Sequence, residues 1–307
     1  MSRLTAITAA IAMAFGASTL AFADDNFATT YQNGNNNTAT VDQTGADNAN
    51  RLLQPGMPQG GFTPGWYLNH DTIHQVGNNN TATVLQSGNG TADITGQVNQ
   101  QGNGNAATIS SSGTGVWGYI TTVGNASAAT INQVAGNNAA GYISQGFKNG
   151  NSTGNVATIT QIQTSGEWNN NNYAFLPGGG GGFSWNDTNI AQEGANNQAT
   201  INQQGNSNSS ADVIQIGSLN SGSISQTNVT HNSLASIEQY GTGNTASSTA
   251  NGDADSAIVQ NGTNNSATTI QLGGAGNPNI ATVVQTGISN VAGVTQLGGG
   301  NRATVRQ

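Results

Sequence analysis

The sequence predicts an all-β protein, a flat β-solenoid with coils of about 22 residues, each made of two strand–turn units of about 11 residues. The first observation behind this prediction is a repeat of the form Gln-x-Gly-x-x-Asn-x-Ala-x-(apolar or Thr)-x-Gln. The second is an alternation of side-chain types within the repeat, and the third is where the rare charges fall. Clean copies of the repeat occupy residues 32–43, 75–86, 192–203, 260–271, 285–296 and 296–307.

Other copies keep only part of the repeat. The copy at 215–226 has Gly222 at the Ala position. Looser copies end at Gln133, Gln145, Gln161, Gln239 and Gln285. In most of these the Gly/Asn segment has gained a residue or more, which is where a loop tolerates insertions. This segment is therefore a predicted turn, in which the Gly and the Asn of the repeat are both expected to adopt positive φ.

The alternation within the repeat predicts strands with an inner and an outer face, because residues two apart on a strand share a face. In the first copy the inward set is Asn37, Ala39, Val41 and Gln43. The charged residues of the repeats all fall in outward positions: Asp42, Asp212, Glu238, Asp255, Arg302 and Arg306. This agreement favours an ordered repeat over the disorder that composition alone would allow.

Composition limits what can fill the inside of these coils. Only 34% of the 307 residues are hydrophobic and 6% charged, against roughly 45–50% and 25% in ordinary soluble domains. Ala and Val or Ile supply a thin apolar strip, and buried Gln and Asn amides need hydrogen-bond partners. If coils stack directly, each Gln lies over its equivalent about 4.8 Å away and their amides pair. With five Lys and Arg and a net charge of −8, no nucleic-acid partner is expected.

The N-terminus has the features of a secretory signal peptide, assigned to residues 1–23. Arg3 provides the positive n-region, an Ala-rich apolar stretch follows, and Ala21-Phe22-Ala23 is a small-x-small cleavage site. A membrane anchor is the alternative for this segment. Cleavage after Ala23 leaves an exported chain, 24–307, as the repeat domain. This chain has no cysteine, so disulfides do not stabilise it.

Two stretches interrupt the repeat, at residues 51–69 and 165–187. Both are rich in Gly and aromatic residues, and the first holds three of the five prolines. We interpret both as loops that extend from turns. They are either spacers or aromatic patches that contact a surface, a glycan or a sister fibril.

The repeat resembles the curlin repeat, the unit of the extracellular amyloid fibres called curli, over most of residues 30–307. Carried over by position, the stacking glutamines are Gln32, Gln43, Gln75, Gln86, Gln192, Gln203, Gln260, Gln271, Gln285, Gln296 and Gln307. The corresponding asparagines are Asn37, Asn80, Asn197, Asn265, Asn290 and Asn301. The resemblance implies a structural subunit that self-assembles into fibres for cell adhesion and biofilm matrix.

The resemblance also implies partners and a location. It implies a Gram-negative bacterium, export through the periplasm and an outer-membrane secretion channel, and polymerisation at the cell surface. The expected partners are further copies of the chain, a curli-type nucleating or major subunit, and host or abiotic surfaces. The chain is about twice the length of a typical subunit and lacks a Gly-rich segment after Ala23, so the major or minor role stays open.

Three other functions compete with this one. Enzymes on β-helix scaffolds cluster their carboxylates, whereas the acids here are scattered, and His70-Asp71-Thr72-Ile73-His74 is more simply a loop–strand boundary than a metal site. We predict no catalytic, metal or cofactor site. A secreted solenoid that does not polymerise is the main alternative, either ice-binding or an adhesin. Thr38-x-Thr40 and Thr81-x-Thr83 suit an ice-binding array, but later copies do not sustain these pairs.

The last repeat separates polymerising from monomeric solenoids. Gln307 completes a flat strand without a proline or a capping helix, and monomeric solenoids need caps because an open strand edge offers unpaired backbone groups. The expectation is that this edge docks the next subunit.

Overall fold

The computed structural model describes residues 19–23, 26–44, 73–88, 95–113, 116–135, 139–146, 152–162, 188–205, 209–229, 233–273 and 276–307. These residues form strands joined by short turns. The strands are β1 (Thr19–Ala23), β2 (Asn26–Asn33), β3 (Thr38–Thr44), β4 (Ile73–Val76), β5 (Thr81–Gly88), β6 (Thr95–Asn103), β7 (Ala106–Gly113), β8 (Val116–Asn125), β9 (Ala128–Ala135), β10 (Ala139–Gln145), β11 (Ser152–Thr153), β12 (Val156–Ile162), β13 (Thr188–Ala195), β14 (Gln198–Gln204), β15 (Ser209–Ser218), β16 (Ser221–Thr227), β17 (Ser233–Thr242), β18 (Thr245–Asn251), β19 (Ala254–Thr263), β20 (Ser266–Leu272), β21 (Asn279–Ile288), β22 (Val291–Leu297) and β23 (Arg302–Arg306).

The strands form two parallel sheets, and the chain passes from one to the other in turn. Sheet A has the order β1-β2-β4-β6-β8-β10-β13-β15-β17-β19-β21-β23, with β11 between β8 and β13, and sheet B has the order β22-β20-β18-β16-β14-β12-β9-β7-β5-β3. Stacked glutamines of consecutive coils are 21 to 25 residues apart where no long segment intervenes. The predicted all-β solenoid is therefore confirmed.

The core is a narrow strip between the two sheets. Ile and Val alternate with exposed or half-exposed residues, as the predicted period of two requires, and the largest buried side chains are isoleucines. Ile109 and Ile131, for example, lie in register on adjacent strands of sheet B and have no exposed surface. Each coil contributes few apolar atoms, and burial accumulates because equivalent residues stack on one another.

The charged positions confirm the predicted inner and outer faces. Each of the six charged residues predicted to point outward is exposed or half-buried: Asp42, Asp212, Glu238, Asp255, Arg302 and Arg306. The inward neighbours of Asp212 on β15, Ala211 and Val213, are fully buried. These charged residues therefore lie on the outer faces and not in the apolar strip between the sheets.

The glycine of the turn allows adjacent coils to approach closely. Gly217 has φ +126°, and a Cβ built on it would lie 1.9 Å from the carbonyl oxygen of Gly241 in the next coil. Only glycine combines this φ with the absence of a side chain. The predicted positive φ is therefore confirmed for the glycine of the repeat.

The same prediction was wrong for the asparagine of the repeat. The residue with positive φ is the one before it, such as Asn79 at 57° and Asn196 at 55°. Asn80 and Asn197, which follow them, are fully buried. The asparagine needs a backbone that directs its side chain inward to hydrogen-bond between coils, so the preceding residue makes the left-handed turn.

The two edges of the solenoid differ in how the chain turns. We call the edge where the chain passes from sheet A to sheet B the A-to-B edge, and the opposite one the B-to-A edge. The predicted loops 51–69 and 165–187 lie outside the described residues; in the chain, each falls between a strand of sheet B and the next strand of sheet A. Across the second loop, Gln145 of β10 still aligns with Gln192 of β13. The insertion therefore leaves the strand register unchanged.

The N-terminal residues add one antiparallel strand, β1, which pairs with β2. The predicted signal peptide 1–23 and its cleavage after Ala23 stay predictions. Within the described ranges, no helix has the length and apolar character to cross a bilayer.

Candidate functional site: the glutamine and asparagine ladders

Two columns of glutamine run along the solenoid inside its core, one from each sheet. The sheet A ladder consists of Gln32, Gln75, Gln100, Gln145, Gln192, Gln215, Gln239, Gln260, Gln285 and Gln307. The sheet B ladder consists of Gln43, Gln86, Gln133, Gln161, Gln203, Gln226, Gln271 and Gln296. Successive amides hydrogen-bond at 2.7 to 3.1 Å, as from Gln192 Nε2 to Gln215 Oε1 at 2.8 Å.

Most amides of the sheet A ladder also bind the facing sheet. Gln192 Nε2 donates a second hydrogen bond to the Val156 carbonyl at 3.0 Å, and Gln285 Nε2 donates to the Ser266 carbonyl at 3.0 Å. In the sheet B ladder, Gln296 Nε2 likewise reaches the Ile280 carbonyl at 3.0 Å. Both amide hydrogens are thus used, one along the stack and one across the core. This geometry offsets the cost of burying the amides.

The ladders are interrupted where another residue occupies the glutamine position. Thr122 stands between Gln100 and Gln145, and it donates to Gln145 Oε1 at 3.2 Å. Gln100 Nε2 is left buried without a hydrogen-bond partner. In sheet B, Ala250 stands between Gln226 and Gln271, and Gln271 Oε1 is buried without a donor. Each of these two breaks leaves a buried amide atom of the adjacent glutamine without a partner, which is the atom that a glutamine at the interrupted position would bind.

An asparagine ladder follows the A-to-B edge. It contains Asn37, Asn80, Asn105, Asn155, Asn197, Asn220, Asn244, Asn265 and Asn290, with Ser127 between Asn105 and Asn155. The side-chain oxygen of one coil accepts from the backbone N–H of the next, as from Asn220 to Asn197 Oδ1 at 3.1 Å. The side-chain Nδ2 donates to the glycine carbonyl of the following coil, as from Asn220 to Gly241 at 3.0 Å. The turns are therefore linked from coil to coil.

The predicted stacking residues divide among these columns. The sequence prediction did not assign the glutamines to particular sheets; alternate repeats belong to opposite sheets, so Gln285 contacts Gln307 while Gln296 contacts Gln271. Asn301 lies at the B-to-A edge, where its backbone N–H donates to Asn279 Oδ1 at 3.1 Å. Asn301 therefore lies at the opposite edge from Asn290 and does not belong to the same asparagine ladder.

Sequence reasoning missed several ladder members. Gln100 and Asn105 belong to a copy of the repeat at residues 100–111, which Ser111 closes in place of glutamine. Ser111 Oγ donates to Gln133 Oε1 at 3.0 Å and so replaces an amide in the ladder. A search that accepted a hydroxyl at the closing position would have found this copy.

Hydrogen-bond polarity is uniform along each ladder. Wherever two glutamines pair, the lower-numbered residue donates through Nε2 and the higher-numbered one accepts through Oε1. A coil consequently presents amide donors toward the C-terminal side and amide acceptors toward the N-terminal side. Stacking that continues both ladders is therefore head-to-tail.

The acidic residues on the outer face of sheet A influence one another. Burial and, to a smaller extent, the negative charge of Glu238 on the adjacent strand together raise the pKa of Asp212 to about 7. Burial likewise raises the pKa of Asp255, while a hydrogen bond from the Leu234 backbone lowers it. Asp212 is consequently only partly ionised near neutral pH, which reduces repulsion within this face.

The described residues contain no group of three or more His, Cys, Asp or Glu side chains arranged to hold a metal ion. His74 stacks on Tyr31, with ring centroids 4.8 Å apart and 10° between the ring planes. His70 lies outside the described residues. The ladders are thus the most regular arrangement of interacting polar groups in the described part of the chain.

Comparison with known families supports a specific relationship. The family model of the curlin associated repeat matches residues 23–49 and 276–307. These two segments include β2 and β3 at one end of the stack and β21 to β23 at the other. No curated protein matches the chain.

Proposed function

We propose that this chain, two segments of which match the curlin associated repeat, is a structural subunit of extracellular curli-type amyloid fibres. Its chemical role in this proposal is non-covalent assembly, and no catalytic step is involved. The fibre would serve cell adhesion and the biofilm matrix.

The observation that carries the proposal is the unidirectional pairing of the ladders. Each paired ladder amide donates to the following coil and accepts from the preceding one, so the coil of a second chain can continue the ladder as an internal coil does. Gln285 Nε2, for example, binds Gln307 Oε1 at 3.0 Å in the same way that Gln260 binds Gln285 at 2.9 Å. A head-to-tail contact of this kind repeats without closing, and such contacts generate filaments.

Assembly would proceed by templated strand addition. Strands at the edge of a sheet present unpaired backbone N–H and C=O groups, and an incoming chain can pair with them. The glutamine and asparagine columns would fix the register, because a shift of one residue would move every inward amide to the outer face. The resulting stack has the 4.7–4.8 Å repeat of cross-β structure.

The proposal includes a route and partners. The chain would be exported from a Gram-negative bacterium through the periplasm, after cleavage at Ala23, and would pass an outer-membrane secretion channel. Outside the cell it would join further copies of itself and a curli-type nucleating or major subunit, and the fibre would contact host or abiotic surfaces. The curlin repeat and the absence of cysteine support this route.

A secreted solenoid that remains monomeric is the alternative. It shares the fold and the internal ladders, and it differs in what covers the outermost strands. The two functions can therefore be distinguished by testing whether residues on the outermost strands take part in fibre growth.

The test concerns two ladder residues, Gln296 on β22 and Gln307 directly after β23. Replacing both by alanine removes the amides that would continue the two ladders, so we expect a lag of fibre growth several times longer than that of the wild type. Growth is followed by thioflavin fluorescence and light scattering after dilution from denaturant. The matched control replaces Thr295 and Thr304, which are exposed on the same strands, by alanine.

Addition of preformed wild-type fibres extends this test. We expect seeds to shorten the lag of the wild type and the control much more than that of the glutamine variant. Equal lags for all three proteins, with and without seeds, would remove the ladder mechanism from fibre growth.

A further inference from the structure

The outer faces of the two sheets differ sharply in chemistry. All the charged residues in the described strands belong to sheet A except Asp42: they are Glu193, Asp212, Glu238, Asp255, Arg302 and Arg306. Sheet A also bears aromatic side chains, including the stacked pair Tyr119 and Tyr142. The ten strands of sheet B contain no aromatic residue. Sheet B therefore presents a nearly uncharged face of hydroxyl-bearing and aliphatic side chains, and its exposed aliphatic residues are Leu85, Val134, Val156, Ile162, Leu272, Val291 and Leu297.

An unbroken column of hydroxyl groups runs along the sheet B face. The strand register aligns Thr40, Thr83, Thr108, Thr130, Thr158, Thr200, Ser223, Ser247 and Thr268 on nine successive strands. Each of these residues points outward and is exposed or half-buried. We call this column the hydroxyl column.

We propose that the sheet B face is the surface through which two solenoids pair side by side in the fibre, with the hydroxyl columns of the two copies facing each other. The proposal rests on the proposed fibre function. Identical small side chains stacked in register form flat faces that interdigitate closely when two sheets meet. Threonine suits such a contact because its methyl group packs while its hydroxyl group donates and accepts hydrogen bonds.

The distribution of charge selects this face over the other. Bringing two sheet A faces together would oppose Asp212, Glu238 and Asp255 with the same acids of the second copy, and would remove charged groups from water. Two sheet B faces meet with Asp42 as their one charged strand residue. The copies are therefore expected to pair through sheet B.

The area of the face is sufficient for a stable contact. Ten strands about 4.8 Å apart span roughly 43 Å, and seven residues at about 3.3 Å each span roughly 23 Å, which gives about 1,000 Å² per copy. Stable protein interfaces bury about 800 Å² per partner. In a fibre the same contact would recur in every subunit.

A second copy fits this face better than ice. Ice binding on a flat solenoid needs a regular two-dimensional array, and the column beside the hydroxyl column changes from Thr38 and Thr81 to Ala106, Ala128 and Val156. The paired threonines of the first copies are therefore not continued along the sheet, as the sequence predicted. A single regular column still suffices for pairing between copies.

The experiment compares two double variants that add the same charge to opposite faces. Thr108→Glu with Thr158→Glu places carboxylates in the hydroxyl column on strands that are not adjacent. Asn99→Glu with Thr282→Glu places them at half-buried outward positions of sheet A. Mass per unit length is measured by scanning transmission electron microscopy on fibres of the exported chain.

We expect the wild type and the sheet A variant to have about twice the mass per length of the sheet B variant, while all three retain the 4.7 Å reflection. Equal mass per length in the wild type and the sheet B variant would overturn the pairing. The pairing would also be overturned if the wild type showed thermal hysteresis, the lowering of the freezing point by ice binding, and the sheet B variant did not. The sheet B face would then bind ice. Failure of the wild type to form cross-β fibres would instead contradict the proposed function.

A crosslinking experiment covers the case in which the sheet B variant fails to fold. Because the chain has no cysteine, Thr158→Cys and Thr282→Cys each introduce a single thiol. A bismaleimide that spans about 10 Å, the distance between stacked sheets, should join Thr158→Cys chains into dimers and leave Thr282→Cys chains mostly monomeric after denaturation. Equal dimer yields from the two variants would contradict the pairing.

Discussion

Replacing Gly217 by alanine is expected to destabilise the coils around β15 and β17 by about 2–5 kcal/mol. The new Cβ would lie 1.9 Å from the Gly241 carbonyl oxygen, and the residue has φ +126°, which residues with side chains rarely adopt. The two coils would have to separate at this point. The separation would lengthen the hydrogen bonds of the ladders on both sides of the break.

Hydrogen exchange measures this effect where it occurs. Amide protection should fall in β15 to β17 of the Gly217→Ala protein and remain near the wild-type value in β7 and β9, because coils of a solenoid contact only their neighbours. The matched control is Gly293→Ala, since a Cβ at Gly293 meets no atom within 4 Å. Unchanged protection in β15 to β17 would show that these coils tolerate a wider spacing.

Replacing Gln192 by leucine is expected to cost about 2–6 kcal/mol. Leucine is similar in size, so the main loss is in hydrogen bonding. Gln215 Oε1 and the Val156 carbonyl lose donors at 2.8 and 3.0 Å, and Gln145 Nε2 loses an acceptor at 3.1 Å. These atoms lie in the core, where water cannot replace the lost partner. The change should appear as a lower denaturant concentration at the loss of β-sheet circular dichroism.

The reciprocal change fills the gap that Ala250 leaves in the sheet B ladder. Ala250→Gln places an amide between Gln226 and Gln271, where it can donate to Gln271 Oε1, a buried atom without a partner. We expect this variant to resist denaturant better than the wild type, by about 1 kcal/mol. If the ladder contributed only packing, Gln192→Leu would leave the stability of the protein unchanged and Ala250→Gln would lower it.

The sequence was sufficient for the fold because three independent patterns agree. The period of the repeat predicts coils, the alternation within it predicts an inner and an outer face, and the outward position of residues such as Asp212 confirms the parity. The glycine of the turn was also predictable, since few other residues adopt its φ. These features depend on residues close in the chain.

Features that depend on the stacking register were not predictable in the same way. Gln285 and Gln296 look equivalent in the repeat, yet they belong to different ladders because each strand–turn unit crosses to the other sheet. The hydroxyl column joins Thr40 and Thr268 across coils of unequal length, so no fixed spacing reveals it. The φ of Asn80 was mispredicted because its side chain bonds to another coil.

In the proposed fibre the solenoid continues from one chain to the next. X-ray fibre diffraction from residues 24–307, assembled after dilution from denaturant and aligned, is the decisive measurement of this continuity. We expect a sharp reflection near 4.7 Å along the fibre axis and a broader one near 10 Å across it. A chain that stays a soluble, β-rich monomer under these conditions would contradict the proposed continuity and favour a secreted solenoid that does not polymerise.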